Sequence, residues 1–382
     1  MKVAVTTLAS TVAALLGLGL VMLYSSSMTK FGTHDLIMQL VWVALGFGLC
    51  VTATGFNYQA LKQVHWFGYG FSVLILALVF VPGIGHASHG AHRWLGRSAF
   101  TVQPSEFAKI ALIISLAWYG DRYQRQMPTW IRGMAVPLLL IAPIPGLIFI
   151  EPDRGQTILL AAVCGGVLLV AGVRWRCLIL PVLLAAGGLA FSLLHDHMRQ
   201  GRIQAWLHPD AHANGAALQA QQAMYGLGAG GWTGLGLGNG LRKFGYLAEI
   251  HTDFIFANIG EELGLIATLL VVLGFVVIAV CGVYIALHAR DTFGGLLALG
   301  LTLLICLQAA INIGVVTSAL PNKGLPLPFI SYGGSNLLAM LTCVGLLFSV
   351  ARRANHTASL TSEVFADETP RRNRNPFAAR AA

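Results

Sequence analysis

The chain has 382 residues, 56% of them hydrophobic and 10% charged, with a formal net charge of +9. Its apolar runs are far longer than a buried core helix needs, so it is an integral membrane protein of the all-α class. The positive balance does not signal nucleic-acid binding, because four of the arginines sit in the last thirteen residues, "PRRNRNPFAARAA", which read as a disordered segment near anionic lipid.

In chain order, runs of about 20 apolar residues fall near 3–24, 36–55, 66–82, 104–120, 133–149, 155–173, 176–194, 253–285, 293–319 and 332–350, which predicts about ten transmembrane helices. The first follows Lys2 with no cleavage site after it and is expected to stay as a helix that also directs insertion. The cysteines, Cys50, Cys164, Cys177, Cys281, Cys306 and Cys343, lie in or at the ends of these runs, so neither a disulfide framework nor a metal cluster is indicated. With the N-terminus in the cytoplasm, the inner loops receive Lys2, Lys62, Arg122, Arg125, Arg132, Arg174, Arg176, Arg290, Arg352 and Arg353. The outer face then holds Lys30, Arg93, Arg97, Arg154, Arg199, Arg202, Arg242, Lys243 and Lys323, a cationic set suited to a lipid-linked anion.

The outer loop near 83–103 carries "HRWLGRSAFTVQPSE" and leads into the fourth run, where Pro104 suits a first helical position and Glu106 the first turn. Lys109 shares a face with Glu106, either as a pair that locks the helix or as a functional charge below the surface. The turn "IEPDRGQT" holds Glu151, Asp153 and Arg154; Asp153 as a helix cap explains one of these charges. Between the seventh and eighth helices, about 195–252 form a large extracytoplasmic loop with eight glycines between 226 and 240, followed by Arg242 and Lys243. Gly226, Gly228 and Gly231 match a dinucleotide fingerprint, which is rejected because no strand precedes it. The glycines instead suit either a backbone that approaches a diphosphate closely or a re-entrant loop.

In "EIHTDFIFANIGEELG" Asp253 stands at the mouth of the eighth helix beside Glu249 and His251, and reads either as a helix cap or as a general base. Glu261 lies eight residues on, about 12 Å along the axis at 1.5 Å per residue, so Glu261 and Glu262 are expected to pair inside the bundle. Finally, "SALPNKGLPLPFISYGGSN" contains Pro321, Pro326 and Pro328, which break a helix at membrane depth and imply a cavity wall bearing Lys323, Ser331, Tyr332 and Ser335.

Together "QPSEFAK", "EPDRG", "GLGLGNGLRKFGYLAEIHTDFIFANIGEELG" and "LPNKGLPLPFISYGGS" resemble the SEDS (shape, elongation, division and sporulation) family of polytopic peptidoglycan glycosyltransferases. The resemblance spans residues 1–353 as one membrane-embedded domain and leaves 354–382 as a disordered cytoplasmic tail. It implies polymerisation of lipid II at the periplasmic side of the bacterial inner membrane: a 4-hydroxyl attacks an anomeric carbon with inversion and release of undecaprenyl diphosphate. The family's essential acid falls on Asp253 as catalytic base. Glu106, Lys109, Asp153, Arg93, Lys243, Lys323 and Ser331 become substrate-binding candidates. A divalent cation with the diphosphate is the one cofactor the resemblance admits. The implied partners are a class B penicillin-binding protein and other divisome or elongasome membrane proteins. "LPNKG" sits closer to the division (FtsW-like) branch than to the elongation (RodA-like) branch, and Ala248, Gly240, Arg154 and His92 depart from the usual pattern. A lipid II flippase and a non-catalytic scaffold for the transpeptidase are the competing expectations.

Overall fold

The computed structural model describes residues 1–27, 32–81, 85–88, 91–97, 100–194, 197–208, 218–244 and 250–367. Lys30, Ala248, Glu249 and residues 368–382 lie outside them. A helix stands at each of the ten expected spans. The first are α1 (Lys2–Ser27), α2 (His34–Gly55) and α3 (Leu61–Leu78). A small antiparallel sheet follows, which the sequence did not announce: β1 (Gly85–Ser88), β2 (Ala91–Arg97) and β3 (Phe100–Val102), in that spatial order. Next come α4 (Pro104–Arg122), then a π-helical turn (Ile131–Ala135) leading into α5 (Val136–Ile141) and α6 (Pro143–Ile150), which together make one span. Pro137 and Pro143 each remove a backbone donor, and Pro143 separates α5 from α6. After α7 (Arg154–Val170) and α8 (Trp175–Leu194), the outer loop contributes α9 (His197–Leu207) and α10 (Leu218–Gly230). The chain closes with α11 (Ile255–Leu287), α12 (Thr292–Val316) and α13 (Gly334–Asp367). The tail expected to be disordered from residue 354 is thus helical as far as Asp367. Seven of these segments are long and apolar enough to cross a membrane by themselves, and α7 is a shorter apolar helix.

The core lies between α4, α7, α12 and α13, where Ile113, Leu116, Val163, Val167, Leu297, Leu301, Leu304 and Leu347 are buried. Gly300 makes this contact close: a Cβ there would come within 2.6 Å of Ile113 Cγ2. By contrast, the spanning part of α8 has no buried residue, so its apolar surface is left for lipid. At the cytoplasmic end expected from the cation pattern, Lys62 joins Asp121 at 2.9 Å and Asp291 at 3.0 Å, tying α3, α4 and the α11–α12 turn together. The Tyr58 hydroxyl donates to Asp291 Oδ1 at 2.5 Å in the same cluster.

The glycine-rich loop has a structural cause. Gly264 breaks α11 with φ 80° and ψ −175°, which interrupts the helical hydrogen-bond ladder. The loop supplies the missing partners: Leu235 N–H donates to Glu261 O and Gly236 N–H to Glu262 O, both at 3.0 Å, while Leu265 N–H donates to Gly231 O at 2.9 Å and Ile266 N–H to Trp232 O at 3.3 Å. Backbone meets backbone so closely that a Cβ on Gly230 would lie 1.9 Å from Gly260 O, and one on Gly234 2.2 Å from Glu262 O. The glycines therefore seat a re-entrant segment in a broken helix rather than opening the backbone to an anion. Lys243 belongs to the same device. It is buried, with Nζ 3.0 Å from Glu262 Oε1 and 2.6 Å from Gly238 O, so it cannot reach a diphosphate from this position. Glu261 accepts from the N–H groups of Leu241 and Arg242, and Glu262 also from Ser25, as the expectation of a structural acid pair required. Gly240 packs against the same acids, with a Cβ there 2.9 Å from Glu262 Oε1.

Candidate functional site

Three pieces meet at the outer end of the bundle. The first is the turn ahead of α11. Asp253 is half-buried there, and the residue in the helix-cap position is Phe254, with no side-chain cap. Asp253 stands one residue before that position. Its carboxylate lies over the proline-broken segment, where a Cβ on Gly324 would be 2.8 Å from Asp253 Oδ2. Because Pro321, Pro326 and Pro328 keep this segment out of a helix, its carbonyls need other donors. Asn312 Nδ2 donates to Leu325 O at 2.7 Å and to Asp253 O at 2.8 Å. The Ser331 hydroxyl donates to Thr252 O at 2.5 Å and accepts from Leu327 N–H at 2.8 Å. Tyr332 N–H donates to His251 O at 2.9 Å, and the two rings meet edge to face at 6.0 Å. Residues 251–253 and 325–332 are thus stitched into one wall. Lys323, half-buried, precedes Gly324 on that wall.

The second piece is a buried hub. Pro104 opens α4 as expected and sets Glu106 in the first turn, 1% exposed, with Lys109 at 0%. Lys109 Nζ lies 3.0 Å from both carboxylate oxygens of Glu106 and donates to Gln308 Oε1 at 3.3 Å. Gln156 donates to Glu106 Oε1 and Asn336 to Glu106 Oε2, each at 2.9 Å, so the pair draws on α4, α7, α12 and α13 together. Gln308 also donates to Pro326 O at 2.9 Å, which carries the hub up to the proline segment. A charge pair with this many partners is compensated where it sits.

The third piece is the turn before α7. Asp153 caps α7 by accepting from Gln156 N–H at 3.2 Å, and Arg93 on β2 stands 3.3 Å from Asp153 Oδ2. Arg93 also donates to Glu151 O at 3.2 Å and to Pro152 O at 3.1 Å, clamping the sheet to the turn. Burial pushes the Asp153 carboxyl above its ordinary range against the pull of Arg93. Glu151 is 1% exposed with both carboxylate oxygens unpartnered; burial, then the charge of Asp153, pushes it up to about 8. Gly155 packs on Leu325, which joins this turn to the wall beneath Asp253.

Of the sequence-derived candidates, Asp253 and Lys323 stand on the wall itself. Arg93 and Asp153 form a clamp beside it. Ser331 is part of the wall with its hydroxyl engaged by Thr252 and Leu327, and Glu106 and Lys109 lie beneath it with their polar groups engaged inside the protein, so all three support the wall from these positions. Arg154 sets its guanidinium 5.0 Å from the Phe149 ring centroid. Sequence reasoning missed Asn312, Gln308, Gln156 and Asn336, the amides that join the pieces. Their signal was present, since an amide inside an otherwise apolar span must find a partner there.

Residues 6–356 match the sequence profile of the FtsW, RodA and SpoVE family, described as "Cell cycle protein". A relative in Trichlorobacter lovleyi named "Probable peptidoglycan glycosyltransferase FtsW" is 38% identical over 346 residues, covering 89% of this chain and 91% of its own. "Stage V sporulation protein E" of Bacillus subtilis is 35% identical over 348 residues, 90% of this chain and 95% of its own. Among solved structures, a chain from "Structural coordination of polymerization and crosslinking by a peptidoglycan synthase complex" superposes with a TM-score of 0.77 at 27% identity, over 91% of this chain and 97% of that one. Thermus thermophilus "Rod shape determining protein RodA" gives 0.67 at 27% identity, over 91% and 96%.

Proposed function

The chain belongs to the FtsW, RodA and SpoVE family and is a multi-pass membrane peptidoglycan glycosyltransferase, and we propose that it polymerises lipid II with Asp253 as the general base. The observation that carries the assignment is the Asp253 carboxylate, held over Gly324 on a wall fixed by Asn312 and Ser331. In this reaction the carboxylate takes the proton of the acceptor 4-hydroxyl as its oxygen bonds to the donor's anomeric carbon. The bond from that carbon to the diphosphate breaks on the opposite face, the configuration inverts, and undecaprenyl diphosphate leaves with the electron pair. The leaving group is already a stable anion, so one base is enough. Lys323, next to Gly324, is the cation assigned here to meet its charge.

No cluster of three or more His, Cys, Asp and Glu is assembled among the described residues. Any divalent cation would arrive with the diphosphate, and the steps above use only the chain's own groups. The cationic inner loops support a topology with both ends cytoplasmic and the Asp253 wall facing the periplasm. The FtsW names of the relatives support a septal role, and the synthase-complex neighbour supports a class B penicillin-binding protein as partner. A flippase reading fares worse: the charges below the wall, Glu106 with Lys109 and Glu262 with Lys243, are bound to one another and do not line a path.

The test is polymerisation of lipid II by the purified chain with its transpeptidase. Asp253→Ala is expected to abolish glycan strands while the protein still folds. Strand synthesis at the parent rate by that variant would remove the base assignment, and lipid II scrambling in liposomes without polymer would favour the flippase.

A further inference from the structure

The side chain that reaches the main chain of Asp253 comes from α12. Asn312 is 1% exposed, and its Nδ2 group donates to carbonyls of two different segments, Asp253 O at 2.8 Å and Leu325 O at 2.7 Å. An amide NH2 has two hydrogens, so both are used, and both acceptors are oxygens that only a donor can satisfy. Its own Oδ1 is buried without a partner, so the two donated bonds alone orient the group. Leu325 directly follows Gly324, the residue under the Asp253 carboxylate, and Leu325 N–H donates to Lys323 O at 3.0 Å across it. One amide therefore sets the spacing between the residue that bears the carboxylate and the segment the carboxylate lies on. Neighbouring staples end elsewhere. Ser331 holds the carbonyl of Thr252, and Gln308, one turn earlier on α12, holds that of Pro326.

We propose that Asn312 is a positioning residue for glycosyl transfer, holding the Asp253 turn in register with Gly324 so that the carboxylate meets the acceptor hydroxyl. The proposal rests on the reading of Asp253 as the base. Without the amide the turn and the proline segment can part, and a displacement of about 1 Å at a catalytic group lowers turnover on the order of 100-fold. Lipid II binding, which draws on the rest of the wall, changes far less.

The experiment uses the full chain with its transpeptidase, lipid II as substrate, and four readouts: kcat, KM, the pH midpoint of the acidic limb of kcat, and the melting temperature. Asn312→Ala is expected to lose turnover on the order of 100-fold, to keep KM within a few fold and to shift the acidic midpoint, because the carboxylate has changed surroundings. Gln308→Ala removes a buried amide of similar size from the same helix and the same proline segment. It should lower the melting temperature without moving that midpoint. If Asn312→Ala does not fold, Asn312→Gln retains both donors one methylene further out and should show the kcat loss at a melting temperature close to the parent's. An Asn312 variant with parental kcat and midpoint, or one matching Gln308→Ala in every readout, would overturn the proposal. Undiminished polymerisation by Asp253→Asn would overturn the base reading instead, and the two failures are therefore distinct.

Discussion

Two acidic sites in this molecule meet their surroundings in opposite ways. Glu106 is buried against a lysine of its own helix and two amides from two other helices, and each of these partners is inside the protein. Asp253 is half-buried, its main chain is held by Asn312, and its carboxylate rests over a glycine at the outer end of the bundle. The first arrangement holds helices in place, because a desolvated charge pair is costly unless it is fully bonded and costlier still when broken. The second holds the backbone fixed beneath a half-buried carboxylate at the outer end of the bundle, where the proposed chemistry needs a base. Charge count does not separate the two sites; what the surrounding bonds are attached to does.

The sharpest way to break this comparison is at the two acids themselves. Asp253→Asn keeps the shape and removes the base; turnover should fall by about 10²–10⁴-fold, the range typical of a lost general base, with the melting temperature near the parent's. Lys109→Ala leaves Glu106 charged and buried, and should cost about 3–5 kcal/mol of stability, read as a large fall in the melting temperature in detergent. Gly234→Ala tests the re-entrant loop: with φ at 81° and Glu262 O at 2.2 Å from the new Cβ, the loop must shift out of the α11 break. A loss of about 1–3 kcal/mol is expected, together with faster proteolysis between residues 231 and 243.

A third acid, Glu151, extends the contrast to a pH-dependent effect. Its folded-state carboxyl titrates at about 8 against an ordinary value of 4.5, so between those pH values the folded chain keeps a proton that the unfolded chain has lost. Stability from this group is therefore full below about pH 4.5 and declines as the pH rises to about 8. Glu151→Gln removes that slope. Its melting temperature should gain on the parent's as the pH is raised from 5 to about 8, and parallel melting curves at all pH values would contradict the burial argument.

The ten spans were legible because hydropathy over about 20 residues reports membrane crossing directly. So were the Asp153 cap, Pro104 at the start of α4 and the separation of Asp253 from Glu261 and Glu262, all of which depend on local spacing. The contacts across the bundle were not. Nothing within 230–243 shows that its glycines face a break at Gly264, because a break is identified only when another segment supplies its hydrogen bonds. Lys243 and Ser331 looked like substrate contacts for the same reason: their partners, Glu262 and Thr252, are distant in sequence. The sheet escaped notice because β1 to β3 are short, and hydropathy patterns of a few residues say little.

The central claim is that Asp253 performs chemistry whereas Glu106 and Lys109 hold structure. Measuring lipid II polymerisation and melting temperature side by side for Asp253→Asn and Lys109→Ala tests it most directly. Asp253→Asn is expected to lose polymerisation at an unchanged melting temperature, and Lys109→Ala to lose melting temperature. An active Asp253→Asn, or one whose inactivity comes with unfolding, would contradict it, as would a Lys109→Ala that melts with the parent.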